Sequence, residues 1–157
     1  MANTYTQIYI QTVFAVEGRQ SLISTDHKDE LYKYISGIVR NEKQKLMAIN
    51  GVSDHIHILI GMDPDIALSN LVKTIKVASS RFMNDKRWVK GRFRWQSGFG
   101  AFSYSRSQVS RVATYIENQE RHHQRKSFRD EYTGFLKKFE VEYDPRYLFN
   151  FMDDLSI

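Results

Sequence analysis

The chain predicts an α+β fold, a ferredoxin-like split βαβ sandwich in which an antiparallel sheet carries helices. Three observations predict it. Apolar periodicities run in the order β-α-β-β-α-β-α. Breakers are sparse, with two prolines and no repeat or linker, so the 157 residues read as a single domain with an acidic tail from about residue 140. The chain is 41% apolar and has no cysteine, so its core must stand without disulfides, and thiolate zinc sites and cysteine nucleophiles are excluded.

The elements follow in order. From Gln7 to Val16 the even positions Ile8, Ile10, Phe14 and Val16 are apolar, while Gln7, Tyr9 and Gln11 take the other face, as in a half-buried strand. Leu31, Tyr34, Ile35 and Ile38 recur at helical spacing behind the cap candidates Ser24, Thr25 and Asp26, predicting a helix that ends near Asn41. Leu46 to Ile49 and His55 to Met62 are two short strands, with residues 50–54 as their turn. Asp63 and Pro64 open a second helix with apolar positions Leu68, Leu71, Val72, Ile75 and Phe82. Arg92 to Tyr104 reads as a fourth strand with a bulge near Gly98, its Phe93 and Trp95 turned to the core. Ser105 and Gln108 have capping-box spacing ahead of Val109, Val112, Ala113 and Ile116, the stripe of a third helix.

Charge is divided unevenly. Residues 73–129 hold 14 Lys and Arg against 3 Asp and Glu, whereas the remainder holds 9 against 15. A basic middle between acidic ends points to a polyanion, since neutralising phosphates releases counterions. The candidate phosphate contacts are Lys73, Lys76, Arg81, Lys86, Arg87, Lys90, Arg92 and Arg94. No apolar run reaches the ~20 residues of a bilayer span and the start is polar, so no membrane partner and a cytoplasmic location are expected.

Two patterns carry chemistry. His55 and His57 alternate with Ile56, Ile58 and Ile60, so the isoleucines bury on one side and both imidazoles share the other. Such a pair can chelate one divalent cation, or it is merely hydrogen-bonded. Tyr115 and Gln119 lie one helical turn apart beside the apolar stripe, where a phenol can serve as a positioned nucleophile or simply pack. His122 and His123 read as a solvated helix end.

Together these motifs resemble something specific. His55-Ile56-His57 followed by Tyr115-Ile116-Glu117-Asn118-Gln119 is similar to the single-tyrosine HUH transposases of the IS200/IS605 class, including REP-associated relatives. Val52 to Leu59, the helix from Lys73 to Ser80, Trp95-Gln96 with Gly100 to Ser103, and the tyrosine helix through His123 extend the resemblance over residues 5–135. The resemblance implies the HUH endonuclease type of the fold, with Mg²⁺ or Mn²⁺ held by His55, His57 and Gln119. It implies Tyr115 as nucleophile on single-stranded DNA, a 5′-phosphotyrosine intermediate, hairpin recognition at element ends, and a homodimer. Two other readings stand beside it: a non-catalytic ferredoxin-like nucleic-acid-binding module, and a metal-dependent nuclease that uses water.

Overall fold

A computed structural model describes residues 3–148 and shows a four-stranded antiparallel sheet with helices on both faces. The strands are β1 (Tyr9–Ala15), β2 (Lys45–Val52), β3 (His55–Gly61) and β4 (Gly100–Tyr104). They lie in the order β2-β3-β1-β4, every neighbouring pair antiparallel. This is the split βαβ arrangement expected from the sequence. The helices are α1 (Lys28–Asn41), α2 (Leu68–Lys86), α3 (Val109–Glu117), α4 (Gln119–His122) and α5 (Phe128–Lys138).

Register assigns each strand face. Val13 pairs with His57, and Gln11 pairs with Leu59 and Phe102, so these side chains share one face; Phe14 pairs with Ile56 and Thr12 with Ile58 on the other. On the first face Leu59 and Ala48 pack with Val109, Val112 and Ile116 of α3, and Phe102 stacks on Phe135 of α5 at 5.0 Å. On the second, the isoleucines of β3 and Phe14 join the core with Leu31 and Ile35 of α1 and Leu71 and Ile75 of α2. Six of the seven β3 residues are therefore buried, because both faces are covered.

Several boundaries differ from the sequence reading, each for a local reason. The helix expected at Pro64 begins only at Leu68, because the Asp63 carboxylate accepts the Asp65 N–H and holds a turn instead. The fourth strand covers residues 100–104 only. Gly98 sits at φ 86°, and before it Trp95 makes a single bridge to Val16. Phe93 and Trp95 are nevertheless core residues, the Trp95 indole donating to Ser79 at 2.9 Å. Tyr34, expected in the α1 stripe, is partly exposed and stacks on Phe82 of α2, while Tyr32 takes a buried place. Helix α5 was not anticipated. Ser127 caps it by accepting from Asp130 N–H at 3.1 Å, and Phe128, Tyr132 and Leu136 bury one side. The acidic tail is described only as far as Leu148; its remainder from Phe149 lies outside the described residues.

Gly51, expected in a turn, is a buried β2 position opposite Ile56. A Cβ there would lie 2.8 Å from Ile56 Cα and closer still to the His55 carbonyl oxygen. Backbone cannot swing aside as a side chain can. Gly51→Ala is expected to lower stability by about 1–3 kcal/mol or more, read in urea unfolding, and to disturb His55 with it.

Candidate metal and nucleophile site

The two β3 histidines point into the layer between the sheet and α3–α5, both essentially inaccessible to solvent. Each ring is held from behind. His55 Nδ1 lies 2.8 Å from Asp54 Oδ1, and His57 Nδ1 lies 3.0 Å from Gln11 Oε1. A third ring joins them: His123, just past α4, has Nδ1 3.0 Å from the Lys126 carbonyl oxygen. All three Nδ1 atoms thus face oxygen acceptors, which assigns the proton to Nδ1 and turns each Nε2 inward.

The inward atoms converge on one carboxylate. Glu131 Oε1, from α5, is 3.0 Å from His57 Nε2, 3.1 Å from His123 Nε2 and 3.6 Å from His55 Nε2. The Nε2 atoms of His55 and His123 are themselves 3.1 Å apart. Lone pairs facing a carboxylate and one another repel unless positive charge lies among them, supplied by protons or by a cation. The donor set fits a divalent metal: one ligand atom from each of His55, His57, His123 and Glu131, all within 4.8 Å of one another.

The titration directions express the same crowding. Burial opposes charge on His55, but hydrogen bonds and charge from Asp54 and Glu131 prevail and raise its pKa. His57 is lowered, burial outweighing the pull of Glu131. Burial works to raise Glu131, yet the surrounding imidazoles outweigh it and hold the carboxyl far below its ordinary 4.5. A carboxyl depressed by folding contributes stability that is present above its unfolded value and lost as pH falls. In chelator-treated protein the stability gap between wild type and Glu131→Gln is therefore expected to be widest near pH 6 and to shrink toward pH 3, measured by urea unfolding.

Tyr115 reaches this cluster within its own chain. Its hydroxyl donates to Glu131 Oε2 and lies 3.1 Å from His122 Nε2, and its ring centroid is 6.2 Å from that of His57. Burial first, then the Glu131 charge, raise the phenol pKa well above its ordinary 10. Gln119 is fully buried behind the cluster, its amide donating to Glu131 Oε2 at 3.2 Å and its Oε1 3.0 Å from His123 Nε2. Tyr115 and Gln119 do not share one continuous helix, because Asn118 (φ −98°, ψ 20°) separates α3 from α4.

The structure thus brings His55, His57, Tyr115 and Gln119 together as the sequence suggested, and adds two groups. His122 and His123 are not a solvated helix end: one touches the tyrosine hydroxyl and the other is a metal-ligand candidate. Glu131 was missed. Its signal was available in Ser127-Phe128-Arg129-Asp130, a cap followed by apolar spacing 128-132-135-136-139.

The basic residues divide. Lys73, Arg81, Arg92 and Arg94 line two adjoining cavities of about 560 and 440 Å³ along α2, on the far face of the sheet from Tyr115. Lys76 differs from expectation. Its ammonium donates to the carbonyls of Gln96 at 2.8 Å and Gly98 at 2.5 Å and faces the Phe14 ring, and burial lowers its pKa to about 8. It ties the loop before β4 to α2 rather than standing free for phosphate. Lys86 pairs with Glu30 at 3.3 Å, while Arg87 and Lys90 are exposed beyond the cavities. Among the described residues no helix is long and apolar enough to cross a membrane.

Comparison with known proteins agrees with this architecture. A family model described as "Transposase IS200 like" matches residues 4–119. The ISDra2 transposase TnpA of Deinococcus radiodurans is 23% identical over 120 residues, 72% of this chain and 84% of that protein. A crystal structure from Deinococcus radiodurans R1, assigned as a transposase, is similar with a TM-score of 0.61 and 22% identity, over 76% of this chain and 95% of its own. A REP-associated tyrosine transposase bound to a REP hairpin is similar with a TM-score of 0.59 and 16% identity, over 78% and 73%. With three quarters of its length matched by that model, and with its sheet, histidine pair and tyrosine helix in place, the chain belongs to the IS200-like transposase family.

Proposed function

We propose that the protein cleaves and rejoins single-stranded DNA through Tyr115, recognising a hairpin at element ends. The observation that carries this reading is that the Tyr115 hydroxyl sits against the histidine and Glu131 cluster of its own chain. His55 and His57 would hold a divalent cation, with His123, Glu131 and the Gln119 amide oxygen as further donors. The chemistry such an ion would supply is withdrawal of charge from the scissile phosphate. Three imidazoles favour Mn²⁺ over Mg²⁺.

The chain's own groups do the rest. Tyr115 Oη forms a bond to phosphorus as the bond from phosphorus to the 3′ oxygen breaks, giving a 5′-phosphotyrosine and a 3′-hydroxyl that takes a proton from solvent. The phenol proton passes to Glu131 Oε2 or His122 Nε2, the two groups that touch it. Because the ester keeps the energy of the broken bond, rejoining needs no other source. The phenol is half-buried at the inner wall of a cavity lined also by Phe135, and that cavity opens it to the incoming phosphate.

The α2 face supplies the hairpin surface, through Lys73, Arg81, Arg92 and Arg94, with the exposed Lys90 and Arg87 and the Lys86 side chain at its end. The neighbour that is bound to a REP hairpin supports a hairpin as partner. Unpaired DNA then passes around the β4 edge to Tyr115. A homodimer acting in the cytoplasm completes the proposal, and sedimentation at micromolar concentration tests the dimer.

The deciding experiment incubates the protein with labelled single strands bearing hairpin ends and Mn²⁺, then denatures it. The expected result is a covalent adduct that maps to Tyr115. Cutting with no adduct would make the protein a hydrolytic nuclease, and binding without cutting would make it a passive module.

A further inference from the structure

We propose that Arg111, Lys126 and Lys138 form a phosphate subsite that grips the unpaired strand beside the bond to be cut. This rests on the reading of Tyr115 as nucleophile. The three side chains line a cavity of about 310 Å³ whose inner wall includes Tyr115, His122 and Glu131. None of them belongs to the basic groove on α2, which lies across the sheet.

Sequence spacing brings them there from three segments. Arg111 precedes Tyr115 by four residues in α3, so both occupy one helix face. Lys138 follows Glu131 by seven in α5, two turns along the same side. Lys126 enters from the connection between α4 and α5. Its carbonyl oxygen accepts the His123 Nδ1–H, which fixes its main chain, and its ammonium lies 3.9 Å from where a Cβ on Gly134 would stand. Gly134 therefore leaves that wall bare beside the lysine.

The charge balance of the cavity favours an anion. Glu131 is its one carboxylate, and that group is already engaged by His57, His123, Gln119 and Tyr115. Among the described residues no carboxylate pairs with Arg111, Lys126 or Lys138. All three are exposed on the outer side of the cavity, where a backbone can reach them. Three uncompensated cations within one cavity, around a hydroxyl that must meet a phosphodiester, suit the phosphates flanking that diester. A duplex has no need of such a cleft, whereas an unpaired strand can bend into it.

The test uses the full chain carrying Arg111→Gln, Lys126→Gln and Lys138→Gln together, with an unpaired oligonucleotide and, separately, an isolated hairpin. Anisotropy titrations across salt give affinity and slope, and melting curves verify that the variant is folded. For a single strand each lost phosphate contact lowers the slope by ~0.7, so a fall of about 2 and an affinity loss of ~100-fold near 0.1 M salt are expected for the unpaired strand. Hairpin affinity is expected to stay unchanged. Lys137→Gln, on an exposed α5 position outside the cavity, is expected to cost less than Lys138→Gln.

An unchanged slope, an equal loss for hairpin and strand, or an equal cost at Lys137 would each overturn the subsite. Adduct formation by the wild type separates the two claims. If the adduct forms while the triple variant binds as before, the subsite fails and the nucleophile stands. If no adduct forms while the slope falls, the cleft holds phosphate and the nucleophile reading fails.

Discussion

Tyr115→Phe is expected to abolish covalent capture of single-stranded DNA, by at least ~10³-fold, while leaving DNA affinity within about twofold. The change removes one oxygen and keeps the ring, which packs at 5.8 Å from Phe135 and 4.9 Å from His122. Glu131 loses one donor but retains the Gln119 amide N–H, so the cost in stability is that of one hydrogen bond, about 1 kcal/mol. A quantitative gel of denatured product measures the adduct, and anisotropy measures binding. Persistence of an adduct in this variant would assign the nucleophile to another residue and remove the main support for the mechanism.

His57→Ala is expected to weaken Mn²⁺ binding by ~100-fold or more in isothermal titration. His57 is the most enclosed ring of the cluster, and its Nε2 is the imidazole nitrogen closest to Glu131 Oε1. The substitution removes a ligand and strips both Gln11 and Glu131 of a partner, so a stability loss of roughly 1–3 kcal/mol accompanies it. In wild type, Mn²⁺ at 100 times its dissociation constant raises stability by about 2.7 kcal/mol, and this increment is expected to vanish in the variant. Gln11→Leu gives a graded comparison. It leaves every ligand in place but frees the ring to rotate, and losses of an outer partner of this kind run to ~10–100-fold in affinity. An equal Mn²⁺ affinity in wild type and His57→Ala would show that the cluster is held by protons alone.

The paths to the fold and to the site differ in what they require. Alternation in β3 was enough to predict that Ile56, Ile58 and Ile60 bury on one side and His55 and His57 on the other, because strand geometry leaves no third option. Capping chemistry at Ser105 and Gln108 likewise announced the tyrosine helix, and both partners of the capping box are present. Boundaries moved wherever a local turn or backbone conformation competed with a regular element. Asp63 delayed α2 by holding a turn, and Gly98 cut short the fourth strand.

What the sequence by itself determined is therefore the fold class, the shared face of two histidines, and a tyrosine and glutamine one helical turn apart, which only the family resemblance linked to those histidines. Tertiary structure alone decided that His123 and Glu131 complete the ring of donors. They lie 66 and 74 residues beyond His57, in segments whose local pattern says only "helix end" and "amphipathic helix". It also decided that the basic groove on α2 and the nucleophile occupy opposite faces of the sheet. Period and propensity act over a few residues, whereas a metal site depends on where distant segments cross. That crossing is set by the packing of α5 through Phe128, Tyr132, Phe135 and Leu136, which brings the Glu131 carboxylate over β3.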